Sequence, residues 1–185
     1  MTKRDEIIVI AANLIHEYGY NNIGIKKILE EANIPKGSFY YYFKSKEDLA
    51  LAVIEFHIEN TRAVFNQVDR SLEGLRDFFN FFFRRLEEME YKKGCPIGNL
   101  ILELTDLKES FREKLLEWVK LLEEEITEIL KISGFKEEME PRSLASFIIT
   151  SFEGAIMKAK LEKNKVPIDE FNYYVFECLL KTPLD

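Results

Sequence analysis

The chain is predicted to be all-α, and three observations predict it. Apolar residues recur at helical spacing in every segment, and no run alternates apolar with polar far enough to form a strand. Helix punctuation separates the segments: Thr2 and Ser45 precede apolar runs, while Gly19, Gly94, Gly134 and several prolines follow them. Of the 185 residues, 46% are apolar, which is ample for a core in one or two compact domains.

Nine helices follow in order. The first spans 3–18, with Thr2 as N-cap, Asp5 in its first turn and Gly19 as its stop. Ile7, Ile10, Ala11, Leu14, Ile15 and Tyr18 form its apolar face. A second, about 25–32, carries Ile25, Ile28, Leu29 and Ala32 on one side, and Asn33-Ile34-Pro35 ends it. A short third helix starts near Lys36-Gly37 and ends about Phe43. Ser45, with Asp48 three residues on, opens a long fourth helix to about residue 68. The remaining five are expected at 71–91, 96–105, 108–132, 141–163 and 168–181.

The second and third helices abut across a tight break, and the third is short, polar and crowded with aromatic side chains. That is the layout of a helix-turn-helix reader of DNA, whose second helix enters a groove. Lys36, Gly37, Ser38, Tyr40, Tyr41 and Tyr42 stand on it, with Lys26, Lys44 and Lys46 flanking. Successive helical residues project about 100° apart, so the three tyrosines have separate roles. A small aromatic core accounts for Phe39 and Phe43, but not for three tyrosines beside lysines.

Charge supports this division. The chain carries a net charge of −7, yet residues 1–48 are neutral and the whole excess of acid lies beyond them. Five lysines stand against two glutamates within residues 24–46, so positive charge is concentrated on the reader. A boundary between a DNA-binding part, 1–46, and a larger second part, 47–185, is expected.

The stretch from Gly19 to Leu49 resembles the TetR family of bacterial repressors. Gly19-Tyr20, Ile28, Ala32, Lys36-Gly37-Ser38, Tyr40, Tyr42-Phe43 and Ser45-Lys46-Glu47 all fall where the family pattern has them. The segment GCPIGNLILEL, residues 94–104, looks like a branch that includes electrophile-responsive repressors. Two departures stand out: Ile23-Gly24 replaces the usual Thr or Ser, and Asn33 replaces Gly. Gly24 still serves as an N-cap, and Asn33 tolerates a left-handed backbone. The resemblance implies a nine-helix architecture, an N-terminal helix-turn-helix domain and a C-terminal domain for effector binding and dimerisation. It also implies that Tyr40 packs partly inward, Tyr41 faces bases and Tyr42 gives its hydroxyl to a phosphate. Lys46 is expected on a neighbouring phosphate.

By the same resemblance an effector pocket lies among the later helices, and Phe78, Phe82, Trp118 and Phe152 are its candidate lining. The fifth helix, with phenylalanine at 78, 79, 81, 82 and 83, is apolar on more than one side and is expected to be surrounded by others. Small residues on the eighth helix and an apolar face on the ninth suggest a four-helix contact between two copies of the chain. Phe147, Ser151, Ala155, Tyr174 and Cys178 are the candidates for it. Glu153, an isolated charge on the eighth helix, is expected at a solvated edge, with a polar anchor in the pocket as the alternative. Cys95 precedes Pro96 with Lys92 and Lys93 nearby, an environment that lowers a thiol pKa; a buried inert cysteine is the favoured reading, and resemblance to the electrophile-responsive branch makes Cys95 the candidate sensor.

Other functions find little support. No stretch reaches the roughly 18 apolar residues of a membrane span. Lys3-Arg4 before residues 7–15 imitates a leader, but Asp5-Glu6 and Asn13 interrupt it and His16-Glu17 occupies the cleavage position. A cytoplasmic protein is expected. Cys95 and Cys178 have neither metal nor disulfide spacing, and no cofactor motif, phosphate-cradling loop or nucleophile–base pair suggests an enzyme. The reading is a homodimeric repressor of palindromic operator DNA, released by a small, largely apolar effector; the alternatives are a thiol sensor on the same scaffold using Cys95 and, with no motif behind it, an all-helical enzyme or adaptor.

Overall fold

The computed structural model describes residues 2–134 and 139–181, and these form nine α-helices and no strand. In order they are α1 (Lys3–Tyr18), α2 (Ile25–Glu31), α3 (Phe39–Tyr42), α4 (Lys46–Phe65), α5 (Leu72–Glu88), α6 (Pro96–Leu104), α7 (Glu109–Ile132), α8 (Pro141–Glu162) and α9 (Val166–Asn172). Two corrections to the sequence reading have local causes. The reader begins as a 3-10 turn, Lys36–Ser38, with Ser38 N–H bonded to the Pro35 carbonyl at 2.9 Å. The ninth helix starts two residues early, because Pro167 fits a first turn whose N–H groups need no partner. It then widens into a π-helical segment, Tyr173–Leu179, closed by Leu180 N–H on the Val175 carbonyl at 2.8 Å.

Caps set the boundaries where the sequence placed them. Thr2 Oγ1 accepts the Asp5 N–H at 3.2 Å while the Asp5 carboxylate accepts the Thr2 N–H at 2.8 Å, a complete capping box. Ser45 and Asp48 repeat this logic at α4: Asp48 N–H bonds Ser45 Oγ at 3.1 Å, and the Asp48 carboxylate reaches back to Lys44 N–H at 2.9 Å. Asn33 takes φ +52°, the left-handed conformation foreseen for it.

The chain packs as two compact units. The first comprises Met1–Asn60 and Pro96–Glu117, the second Thr61–Cys95 and Trp118–Asp185, so the division falls within α4 and within α7. Within the first unit Ile7, Ala11, Ile28, Phe39, Val53 and Ile54 are completely or almost completely buried. The second unit is built on phenylalanine. Phe65 stacks on Phe78 with centroids 3.7 Å apart, and Phe79 and Phe83 pack against Phe152 and Phe171 at 4.9–5.3 Å. Edge-on and tilted pairs dominate, the geometry that the ring quadrupole favours.

Candidate nucleic-acid interface

The reader surface is assembled from the turn Lys36–Ser38, helix α3 and the residues on either side. Phe39 and Phe43 point into the first unit's core and anchor the element. Arg4 lies over the Phe43 ring at 4.9 Å, a cation–π contact that pins the far end. With those rings inside, the helix turns its other faces outward. Tyr41 is 85% exposed and Tyr40 67%. Tyr42 is half-buried, its ring edge-on to Tyr41 at 5.0 Å.

This reverses one expectation. Tyr40 was expected to pack partly inward, but it leans edge-on against Phe39 and keeps most of its surface in solvent. Tyr42 is the more enclosed of the two.

Gly37 is exposed, and a Cβ built on it would meet nothing within 4 Å. Its small size therefore answers no packing demand of the chain itself. Ser38 is half-exposed, Lys44 is exposed, and Lys26 is exposed with a loose ion pair to Glu30 at 3.7 Å. Lys36 sits at the start of the turn; its side chain lies outside the described residues.

Lys46 is held within the chain as well as standing beside the reader. Its ammonium donates to the Tyr20 carbonyl at 2.6 Å and lies over the Tyr20 ring at 4.1 Å. Partial burial pushes its pKa down, with the Glu103 charge opposing. The four-carbon stem folds back on the turn after α1, which takes one of the ammonium's three donors. Glu103 on α6 was missed altogether, and its carboxylate accepts the N–H groups of both Tyr20 and Asn21 at 2.8 Å. No sequence signal could pair residues 82 and 83 positions apart.

In the second unit the proposed pocket residues fall differently. Phe78, Phe82 and Phe152 are brought together, with Phe82 edge-on to Phe78 at 5.1 Å and to Phe152 at 6.2 Å. Phe78 and Phe152 are buried against other rings and Phe82 is half-buried, so the three pack as one cluster. Trp118 is buried and donates its indole N–H to Thr61 Oγ1 at 3.0 Å.

A surface groove of about 270 Å³ lies on α8, α9 and the π-helical segment, lined by Phe147, Ser151, Gly154, Ala155, Tyr174 and their neighbours. Four of the five interface candidates line it, and Cys178 is exposed on the π-helical segment that follows α9. Phe147 is 56% exposed and Tyr174 63%.

Glu153 does not stand at a solvated edge. Its Oε1 is fully buried without a hydrogen-bond partner among the described residues, and burial pushes its carboxyl pKa up, against a hydrogen bond with Cys95. The helical pattern could not show this, because Glu153 lies beside the buried stripe of α8 and not on it. Lys92, expected to polarise the Cys95 thiol, pairs instead with Glu90. No group of three or more metal-binding side chains occurs among the described residues, and no described helix is long and apolar enough to cross a membrane.

Comparison with known proteins agrees with this arrangement. Residues 7–53 match the model of bacterial regulatory proteins of the tetR family, and residues 71–173 match the C-terminal domain of LmrA/YxaF-like transcriptional regulators. The HTH-type transcriptional repressor DhaR of a Mycobacterium species is 34% identical over 183 residues, covering 96% of this chain and 92% of its own. The transcriptional regulator AcuR of Cereibacter sphaeroides is 34% identical over 175 residues, covering 88% and 80% respectively. The crystal structure of a regulatory protein TetR from Rhodobacter sphaeroides, 28% identical, superposes with a TM-score of 0.83 over 91% of this chain and 94% of that one. The chain belongs to the TetR family and is a helix-turn-helix, DNA-binding transcriptional regulator, not an enzyme.

Proposed function

We propose that the chain is a homodimeric repressor acting in the cytoplasm, with residues 1–46 reading a palindromic operator and residues 47–185 holding an effector and the dimer contact. Two readers on a two-fold dimer engage half-sites about one DNA turn apart, roughly 34–36 Å, or a small multiple of it. Lys36 and Tyr41 meet base edges. Ser38, Tyr40, Tyr42, Lys26, Lys44 and Lys46 position the protein on phosphates, and Gly37 lets backbone and DNA approach closely.

One observation carries this reading: Tyr41 stands 85% exposed beside a glycine whose missing side chain leaves open space. Folding requires neither feature. The groove on α8 and α9 supports the dimer, because Phe147 and Tyr174 are large apolar side chains left uncovered at its rim. A small, largely apolar effector enters beside Phe82 and parts the rings of Phe78 and Phe152, favouring a conformation whose readers no longer match the operator. A hundredfold loss of operator affinity requires only about 2.7 kcal/mol of coupling.

The test uses a duplex selected by the wild-type protein from a random library. Wild type should sediment as a dimer and bind this duplex with a steep salt dependence. Phe147→Glu should be folded, monomeric and at least tenfold weaker on the duplex, since a charge would enter the centre of an apolar contact (a loss of about 1.4 kcal/mol or more). A monomeric wild type, or a Phe147→Glu dimer of unchanged affinity, refutes the proposal.

The hydrogen bond between Cys95 and the buried Glu153 favours a second reading, in which thiol chemistry at Cys95 triggers release. Modification of a thiol bonded to a buried carboxyl would strand that carboxyl without its partner. N-ethylmaleimide should then abolish operator binding by wild type and spare Cys95→Ser; equal loss in both refutes this reading.

A further inference from the structure

We infer that Glu103 is a positioning residue for DNA recognition: from α6, its carboxylate fixes the turn between α1 and α2 and so sets the orientation of the reader. The inference rests on the dimeric reading proposed above. Three independent contacts converge on this turn. Glu103 Oε2 accepts the Tyr20 N–H and Oε1 the Asn21 N–H, each at 2.8 Å. Lys46 closes the other side, donating to the Tyr20 carbonyl at 2.6 Å with its ammonium over the Tyr20 ring. The same ring meets Phe111, at the start of α7, edge-on at 5.8 Å.

Gly19 completes the fit. At φ +84° it takes a conformation that L side chains rarely adopt, and a Cβ there would stand 3.2 Å and 3.4 Å from the two Glu103 oxygens. The turn is therefore shaped for the carboxylate as well as for the end of α1.

Two parallel bonds from consecutive backbone amides to one ionised carboxylate define a direction as well as a distance. The turn they hold leads within five residues into α2, whose partner in the reader is α3. Lys46 ties the same turn to the first residue of α4, the helix that follows the reader. Both ends of the helix-turn-helix are thus referred to a single point, and Glu103 is the group that connects that point to α6. Neighbouring ion pairs, Glu47 with Lys108 and Glu55 with Lys114, hold α4 to the α6–α7 segment along the same side. They join side chains, whereas Glu103 takes hold of the backbone of the turn that leads into α2.

Glu103→Gln keeps the size of the side chain but presents an amide N–H₂ to one of the two backbone N–H groups, which cannot bond it. One contact is lost and the direction with it. The experiment measures affinity of the full dimeric protein for the selected duplex and for versions with one or two base pairs inserted between half-sites. Amide hydrogen exchange at Tyr20 and Asn21 is read in parallel.

Wild type should bind the original spacing far more tightly than the inserted ones. Glu103→Gln should be about tenfold weaker on the original spacing, with a clearly flatter dependence on spacing and faster exchange at the two amides. Glu103→Asp, which keeps charge and both acceptors on a shorter stem, should lie between them, and it carries the test if Glu103→Gln does not fold. A merely structural role predicts weaker binding with an unchanged spacing profile, and that result overturns the inference. Wild-type affinity, spacing profile and exchange in a folded Glu103→Gln overturn it as well. A wild-type protein indifferent to spacing would instead refute the paired-reader reading, and the exchange data would still report whether the clamp exists.

Discussion

Tyr41 and Phe79 are both aromatic residues on helices, and they stand at opposite ends of the burial range. Phe79 is wholly buried and meets Phe78, Phe152, Phe171 and Phe176 within 6.4 Å. Tyr41 is almost wholly exposed and touches only the edge of Tyr42 among rings. The contrast separates two kinds of cause. Phe79 is explained by the free energy of removing apolar surface from water, and any well-packed ring of its shape would satisfy that demand. Nothing inside the chain explains Tyr41. A large aromatic surface left in water on a four-residue helix, amid lysines, is explained by what lies outside the molecule.

The largest effect that would break this comparison is on stability. Phe79→Ala removes a ring from the centre of a filled cluster and should cost about 3–5 kcal/mol, the range for deleting a buried aromatic side chain. Tyr41→Ala should change stability by no more than about 0.5 kcal/mol, as expected of an exposed position away from caps and cores. Its effect should fall on sequence preference, with the affinity gap between operator and scrambled duplex shrinking by about 1–3 kcal/mol. Chemical denaturation of both variants, with binding to both duplexes, checks the pair. A strongly destabilised Tyr41→Ala would mean that the reader tyrosine is a structural residue after all.

The same contrast explains what was legible in the sequence. Local rules carry short-range information, so the caps at Thr2 and Ser45, the left-handed Asn33 and the reader itself were all readable from neighbouring residues. Periodicity shows which face of a helix is apolar, but not which helix covers it. The inward fold of Lys46, the clamp from Glu103, the Trp118–Thr61 bond and the burial of Glu153 beside Cys95 all join residues from 26 to 83 positions apart. Each depends on tertiary geometry. The pocket candidates were legible only in part: the resemblance grouped Phe78, Phe82 and Phe152, but spacing along the chain does not say how closely their rings pack against one another.

Gly37 sharpens the comparison at smaller cost to the molecule. Gly37→Ala adds one methyl group where the chain leaves open space, at a residue without a positive φ. Stability should rise slightly, by up to about 1 kcal/mol, because the substitution restricts the unfolded chain. Operator affinity should fall in the same variant, through the loss of close backbone approach. A variant that is more stable yet binds operator less well would separate the two causes within one residue. Unchanged affinity would mean that the DNA does not approach there.

The smallest effect concerns the second unit and is visible only as a function of pH. Burial raises the Glu153 carboxyl pKa in the folded state above its unfolded value near 4.5, with the Cys95 bond working the other way. Over the interval between those two values the folded chain holds a proton that the unfolded chain has released. Stability contributed by this group is therefore complete below about pH 4.5 and declines as pH rises through the folded pKa, the reverse of an ion-paired carboxylate. Glu153→Gln keeps the shape, carries no charge and removes this dependence. Relative to wild type it should gain melting temperature as pH increases above 4.5 and gain nothing below it, where the wild-type side chain is already neutral. Parallel thermal melts from pH 4 to 8 measure the difference. A Glu153→Gln variant that loses stability as pH rises would show that the carboxylate is stabilised when ionised, and that its buried Oε1 has found a cationic or hydrogen-bonding partner in solution.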